Sequence, residues 1–209
     1  MAATIFQYAV GPMANFSYLL GDPVSKTAAL IDPGWEGRAL CDNATAAGFR
    51  ITHILLTHTH FDHIGAIGEV HTLTGAPVYV HTAERDIISD ITDQITTTSD
   101  GDTIMIGNVA VQCWHTPGHS PGGQCFLVDG GCFSGDTLFV QACGRVDLPT
   151  SDPRAMFHSL QRLATLPDIT MIYPGHDYGP SPTSTITAER AQNPYLQAKT
   201  LDDFLGRRL

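Results

Sequence analysis

The first third of the chain alternates short apolar runs with turn residues. TIFQYAV (Thr4–Val10), NFSYLLGD (Asn15–Asp22) and TAALIDPG (Thr27–Gly34) each read as a strand. EGRALCDNATAAGF (Glu36–Phe49) reads as a helix ending near Gly48. THILLTH (Thr52–His58) is too short for a buried helix and reads as a buried strand. In DHIGAIGEVHTLTG (Asp62–Gly75), Ile64, Ile67, Val70 and Leu73 fall on one helical face, with Gly75 at the exit. APVYVH then reads as a strand and TAERDIISDI as a helix. The second half has the same style. TIMIGNVAVQCWHTPGH predicts two strands joined at Gly107-Asn108, and GQCFLVDGGCFSGD a hairpin turning at Asp129-Gly130-Gly131. DPRAMFHSLQRLATL is a helix with Pro153 in its first turn, ITMIYPGHD a strand, and STITAERAQNPYLQ and LDDFLGRRL further helices. Strands and helices alternate in two similar halves, which predicts an α/β fold with helix-covered sheets.

Composition narrows the class. The 209 residues suit one packed domain, with no linker that demands a cut. A formal net charge of −10 argues against a general nucleic-acid partner and against docking on anionic lipid. The N-terminal stretch lacks a basic region and is interrupted by Gly11, Pro12 and Asn15, so neither a secretory signal nor a membrane partner is expected. Five cysteines without a C-x-x-C pair fit reduced thiols and a cytoplasmic location. Cys113, Cys125 and Cys132 read as small buried hydrophobes.

The chemistry concentrates in LLTHTHFDHIG (Leu55–Gly65). Three histidines and an aspartate occupy the positions from His58 to His63, directly behind an apolar run. Unpaired His and Asp at a strand end have few structural uses, whereas two imidazoles, a carboxylate and a third imidazole begin a pair of metal sites. Asp62 also suits the start of a helix, where its charge meets the positive end of the dipole. Three further acceptors stand at expected strand ends beside glycines: His119 in HTPGHSPGG, Asp136 in FSGDTLF and His176 in IYPGHDYG. His53, His71, His81, His115 and His158 lie outside these motifs and read as packing or surface residues. His115 is the least secure of them, being close to His119.

With these motifs in hand, the chain resembles the metallo-β-lactamase fold superfamily, in the order His58-Thr59-His60-Phe61-Asp62-His63, His119, Asp136, His176. The resemblance runs from GPMANFSYLLGD and ALIDPG to AERAQNPYLQ. It implies an αββα sandwich: two mixed sheets flanked by helices. It also implies that one metal takes His58, His60 and His119, that the other takes Asp62, His63 and His176, and that Asp136 bridges them. Flavodiiron relatives carry glutamate where this chain has His60, β-lactamases generally lack the bridging aspartate, and nuclease branches add a domain and a basic groove. The glyoxalase II-like group of thioester hydrolases, with the related persulfide dioxygenases, remains. Only residues 177–209 follow His176, so the long C-terminal glutathione-binding extension of glyoxalase II is expected to be absent. LFVQACGRVDLP also stands where that family carries basic and aromatic glutathione contacts. YPGHDY, Ser184-Thr185, Glu189-Arg190, Asn193-Pro194 and the segment Gly144-Arg145-Val146-Asp147 resemble persulfide dioxygenases, which use one iron at the positions matching His58, His119 and Asp136.

The expected activity is therefore metal-dependent hydrolysis of a thioester: an acyl-glutathione, acyl-CoA or carrier-protein acyl group. Two divalent metals would serve it, zinc favoured, with iron(II) or manganese(II) as alternatives. His58, His60, Asp62 and Asp136 would carry catalysis, and the protein would act as a monomer or homodimer. A mononuclear iron persulfide dioxygenase is the second reading and a non-catalytic metal-binding domain the third. Arg145 either meets an anionic substrate group or pairs with Asp147 or Asp152. Tyr178 either lines the pocket or packs.

Overall fold

The computed structural model describes residues 2–208. Its first sheet takes β1 (Thr4–Val10), β2 (Asn15–Gly21), β3 (Thr27–Ile31), β4 (Arg50–Leu55), β5 (Val78–His81) and β6 (Ile95–Thr98), in that spatial order. The β1–β2–β3 meander is antiparallel, and β3 to β6 run parallel through crossovers. The crossovers carry α1 (Gly37–Ala46), α2 (Phe61–Ile64), α3 (Ile67–Thr74) and a 3-10 turn at Thr82–Ile88. The second sheet uses β7 (Thr103–Ile106), β8 (Val109–His115), β9 (Gln124–Val128), β10 (Gly131–Gly135), β13 (Met171–Pro174) and β14 (Ser184–Thr185), ordered 14-13-10-9-8-7. A two-stranded ribbon, β11 (Leu138–Phe139) with β12 (Ala142–Cys143), leaves it, followed by α4 (Pro153–Leu163), α5 (Ile186–Gln192) and α6 (Leu201–Arg208).

Three apolar layers follow from the side-chain pattern. Between the sheets, Tyr18, Leu20, Ile31 and Leu55 of the first meet Ile106, Val111, Phe126 and Phe133 of the second. Outside the first sheet, Leu30, Ile54 and Val78 pack against Leu40 of α1 and Ile67 and Val70 of α3. Outside the second, Cys132 and Ile172 pack against Met156, Leu160 and Leu163 of α4 and Phe204 of α6. This is the expected αββα sandwich. β2 is buried along its whole length because both of its faces are covered, whereas β8 alternates buried and exposed up to Cys113. Cys113, Cys125 and Cys132 are buried free thiols, as expected. α4 begins where Asp152 accepts the amides of Arg154 and Ala155, with Pro153 at the first helical position.

Some expected elements shift. The helix expected over 62–75 is two pieces. The Pro33–Gly34 loop presses on it: Ala66 N donates to Pro33 O at 3.0 Å, and a Cβ on Gly34 would sit 1.7 Å from Asp62 O. The strand expected to reach His58 stops at Leu55. Leu56 N still reaches Tyr79 O, but the Thr57 amide is taken by the Asp32 carboxylate at 2.7 Å instead of a neighbouring strand. The segment 82–91 winds as a 3-10 turn over Thr82–Ile88 with Glu84 buried beneath it. β6, the β11–β12 ribbon and β14 are short strands that the apolar pattern leaves unmarked. Leu209, the last residue of the final expected helix, lies outside the described residues.

Candidate metal centre

All seven ligand-type residues expected from the sequence meet at one edge of the sandwich. His58 and His60 come from the loop after β4, Asp62 and His63 from α2, and His119 from the β8–β9 loop. Asp136 follows β10 and His176 follows β13. β4, β10 and β13 thus deliver side chains from their carboxyl ends, where open α/β sheets build sites. Gly135 makes Asp136 reachable. Its φ is +47°, and a Cβ there would lie 2.3 Å from Thr57 Oγ1. The β1–β2 hairpin closes the edge, with Phe16 N donating to Gly175 O at 2.8 Å.

Hydrogen bonds at Nδ1 orient four of the five imidazoles. His63 Nδ1 donates to Asp32 Oδ2 (3.0 Å), His176 Nδ1 to Met13 O (2.9 Å) and His119 Nδ1 to Arg145 O (2.8 Å). The Thr57 hydroxyl gives its proton to Asp32 Oδ2 at 2.6 Å, so it accepts from His58 Nδ1 at 3.1 Å. Each of these rings then turns an unprotonated Nε2 inward. The His58 and His119 Nε2 atoms and Asp136 Oδ1 are buried with no hydrogen-bond partner. His63 Nε2 and His176 Nε2 face each other at 3.2 Å, and His63 Nε2 is 3.3 Å from Asp136 Oδ1. His119 Nε2 and His176 Nε2 lie 3.3 and 3.4 Å from Asp136 Oδ2. Lone pairs this close repel unless a cation stands among them, so the donor set fits bound metal. Three groups have ligand atoms within 4.8 Å of one another: the two expected trios, His58/His60/His119 and Asp62/His63/His176, and Asp32/His58/His63, in which Asp32 is already bonded to His63 Nδ1 and to the Thr57 hydroxyl. Asp136 lies against both expected trios.

The electrostatics carry the same message. Burial pushes the His58 and His60 pKa values down. Burial works against a proton on His63 too, but the Asp136 and Asp32 carboxylates outweigh it and raise its pKa well above the usual value. Asp136 is held well below the carboxylate range: burial opposes ionisation, and His63, His176 and His58 overcome it. The carboxylates among these imidazoles make the centre favourable to positive charge.

Residues outside the expected set hold this arrangement. Asp32, buried at the end of β3 with φ +48°, ties His63 and Thr57 together. It is the aspartate of ALIDPG, so its signal was within a recognised motif although no role was expected of it. Asn15 donates to Asp62 Oδ2 at 2.9 Å and accepts from Trp35 Nε1 at 3.1 Å. Glu84, 1% exposed, accepts from Thr59 Oγ1 and from Gly122 N, both at 2.8 Å, and so joins the loops of His60 and His119. Nothing in TAERDIISDI marks Glu84 as buried.

A cleft of about 680 Å³ opens onto His60, Asp62, His119, Asp136 and His176. Met13, Phe61, Phe139, Leu148 and Pro149 make its walls largely apolar. Of the two roles expected for Arg145, the ion pair with Asp147 is present, bidentate at 2.7 and 2.9 Å on the surface, and Arg145 also lines the cleft. Tyr178 lines it too, stacked flat on His176 (4.5 Å between centroids, 9° between planes), with its hydroxyl donating to Met13 O at 3.2 Å. The remaining histidines pack as expected. His53 lies on Tyr79, His71 bonds to Ala76 O, His81 stacks on His115, and His158 meets Phe157. His115 Nε2 donates to Pro121 O.

A metal-dependent enzyme of the αββα type is the class that this fold and donor set define. The chain belongs to the metallo-beta-lactamase superfamily, whose family model matches residues 10–176. It is 31% identical to a probable polyketide biosynthesis zinc-dependent hydrolase of Bacillus velezensis, over 92% of this chain and 86% of that one. It is 36% identical to a hydroxyacylglutathione hydrolase of Maricaulis maris (88% and 82% covered) and 34% identical to the human mitochondrial persulfide dioxygenase ETHE1 (87% and 71% covered). Among solved structures, ETHE1 from Myxococcus xanthus superposes with a TM-score of 0.87 at 30% identity, covering 97% of this chain and 88% of that one. No helix of the described residues is long and apolar enough to cross a membrane.

Proposed function

We propose that this protein is a dinuclear metal-dependent hydrolase of thioesters. The observation that carries the reading is the set of buried, unpartnered His58 Nε2, His119 Nε2 and Asp136 Oδ1 atoms beside two trios whose ligand atoms lie within 4.8 Å of one another. His58, His60 and His119 would hold one ion, Asp62, His63 and His176 the other, and Asp136 would lie between. Zinc is favoured, with iron(II) or manganese(II) as alternatives. Bound there, divalent ions supply a water acidified toward neutral pH and Lewis-acid polarisation of a carbonyl.

The chain supplies the rest. Asp62, fixed by Asn15, orients the attacking water from the cleft floor. The apolar wall of Met13, Phe61, Phe139 and Leu148 takes the acyl part and displaces solvent. A thiol's ordinary pKa of about 8.5 lets the leaving thiolate depart without a side-chain acid, and no such acid is needed. The hydrolase names of the Bacillus and Maricaulis relatives support this chemistry and leave the acyl-glutathione, acyl-CoA and carrier-protein classes as candidates. A mononuclear iron dioxygenase acting on a persulfide is the second reading. It is favoured by the human relative's name and by the compact His58, His119, Asp136 set, in which His119 Nε2 lies 3.3 Å from Asp136 Oδ2.

Elemental mass spectrometry on protein produced with zinc and iron both available tests the choice. About two metals per chain, with turnover on a thioester panel, supports the hydrolase. A single iron, with oxygen uptake on glutathione persulfide and no thioester turnover, overturns it in favour of the dioxygenase.

A further inference from the structure

A second cleft, of about 690 Å³, lies at the opposite end of the first sheet. It opens where β3 and β4 begin, at Thr27 and Arg50, while the metal cluster stands beyond their other ends. Its floor is apolar, made of the buried Ala44, Phe49 and Ile51, with the more exposed Leu73 on the rim. Its basic groups are Lys26, Arg38 and Arg50, all exposed.

These three cations are gathered in one cleft. In a chain of net charge −10, five arginines elsewhere are neutralised: Arg85, Arg145, Arg162, Arg190 and Arg207 each pair with an aspartate, whereas Arg154 and Lys199, outside any ion pair among the described residues, line no part of this cleft. Among the described residues, Lys26, Arg38 and Arg50 have no carboxylate at ion-pair distance, and they come from three separate elements. Lys26 also holds a left-handed φ of +58°, which a side-chain-bearing residue adopts at a cost. That turn places its ammonium 5.5 Å from the centre of the Phe49 ring, over the apolar floor. Asp42 is the one acid in the lining and works against an anion there.

We propose that this cleft binds an amphipathic organic anion, with a phosphate or carboxylate head on Lys26, Arg38 and Arg50 and an apolar body on Phe49, Ile51 and Leu73. The pairing follows from the site's two halves: unneutralised cations attract the head, and the floor rewards an apolar tail with its removal from water. The proposal is independent of the reaction assigned to the metal centre.

Amide shift mapping on the metal-loaded protein, with calorimetry, tests it using octyl phosphate, octanoate, inorganic phosphate and octyl glucoside. Octyl phosphate or octanoate should bind, shifting the amides of Lys26, Phe49, Arg50 and Thr74. Inorganic phosphate and octyl glucoside should each bind at least tenfold more weakly. Lys26→Glu with Arg50→Glu should weaken the anion at least tenfold, at unchanged melting temperature and metal content, and Asp42→Asn should tighten it. Leu73→Glu, on the exposed rim, gives a second route to the same loss should the double variant fold poorly. Equal binding of octyl glucoside overturns the proposal. So do shifts confined to Met13, Phe61 and Tyr178, or a charge-reversed protein that binds as well as the original.

Discussion

The two ligand trios differ in how firmly the protein holds them. In Asp62/His63/His176 every member has a hydrogen-bonded anchor: Asn15 for Asp62, Asp32 for His63 and the Met13 carbonyl for His176. In His58/His60/His119, His60 is only half-buried, and its ring makes no hydrogen bond among the described residues; it rests edge-on against His58 and His119 at 4.7 and 4.5 Å. His58 and His119 keep their Nδ1 bonds to Thr57 and to the Arg145 carbonyl, and Glu84 steadies the loops of His60 and His119. The difference teaches that preorganisation here is unequal. One trio has a hydrogen-bonded anchor at every member, and the other leaves the His60 ring to its contacts with His58 and His119.

Asp136 faces both halves, and its loss should erase the contrast. Asp136→Ala is expected to lose metal from both trios and to cut turnover by at least about 10³-fold; a variant keeping two ions and full activity would break the scheme. Asp32→Ala strikes the anchored half directly and reaches His58 of the other half only through the Thr57 hydroxyl. It strips His63 of its orienting partner and leaves the Thr57 amide unpaired, costing about 1–3 kcal/mol of stability. In stepwise metal titration the affinity of the anchored trio should fall about 10–100-fold while the other changes less. An equal fall in both steps would show that the trios are not separately supported. Glu84→Gln addresses the loosely held half. It replaces one carboxylate oxygen by a donor that faces either the Gly122 amide or the Thr59 hydroxyl, so the loops of His60 and His119 should loosen. We expect a loss at the lower end of about 1–3 kcal/mol in stability and a reduction in metal affinity confined to that trio, smaller than that of Asp32→Ala.

Asp22 provides a control remote from both halves. Its buried carboxylate accepts from the Asn108 amide and side chain and from the Val24 and Ser25 amides, joining the β2–β3 turn to the β7–β8 turn. The Asn108 and Val24 amides foremost hold its pKa below the ordinary carboxylate range in the folded state. The stability it contributes is therefore complete above that range and shrinks as pH falls through it toward the folded value. Asp22→Asn should flatten the acid limb of the stability profile while leaving both metal-binding steps unchanged. A shift in either step would mean that the far end of the sandwich couples to the centre.

The sequence made the ligands legible and hid their supports, for a physical reason. Metal ligands come from a few residue types, and here they stand at or just beyond strand ends, so Asp136 and His176 announce themselves by residue type, neighbouring glycine and preceding apolar run, and His58 by its cluster behind such a run. Apolar periodicity likewise carried the main strands and α4. Supporting groups have no such constraint. Glu84 lies in a segment whose spacing resembles an ordinary surface helix, and only its docking under Thr59 and Gly122 makes it matter. Asn15 acquires its role from a hairpin that folds across to His176, a contact between residues far apart in the chain. The break between α2 and α3 also escaped, because it is imposed by the Pro33–Gly34 loop and not by the helix's own residues.

Tyr178 gives the finest test of the anchored half. Its ring lies flat on His176, and its hydroxyl shares the Met13 carbonyl with His176 Nδ1. Tyr178→Phe keeps the stacking and removes one of two donors to that carbonyl, leaving His176 its own bond. The hydroxyl is partly exposed, so the loss should not exceed about 1 kcal/mol, with kcat/KM reduced only about two- to fivefold and metal content intact. Tyr178→Ala also uncovers the face of His176 and widens the cleft, so it should raise KM more than the phenylalanine variant does. Were the two variants to behave alike in KM and in metal retention, the ring would contribute nothing to the cleft, and His176 would be held by the Met13 carbonyl alone.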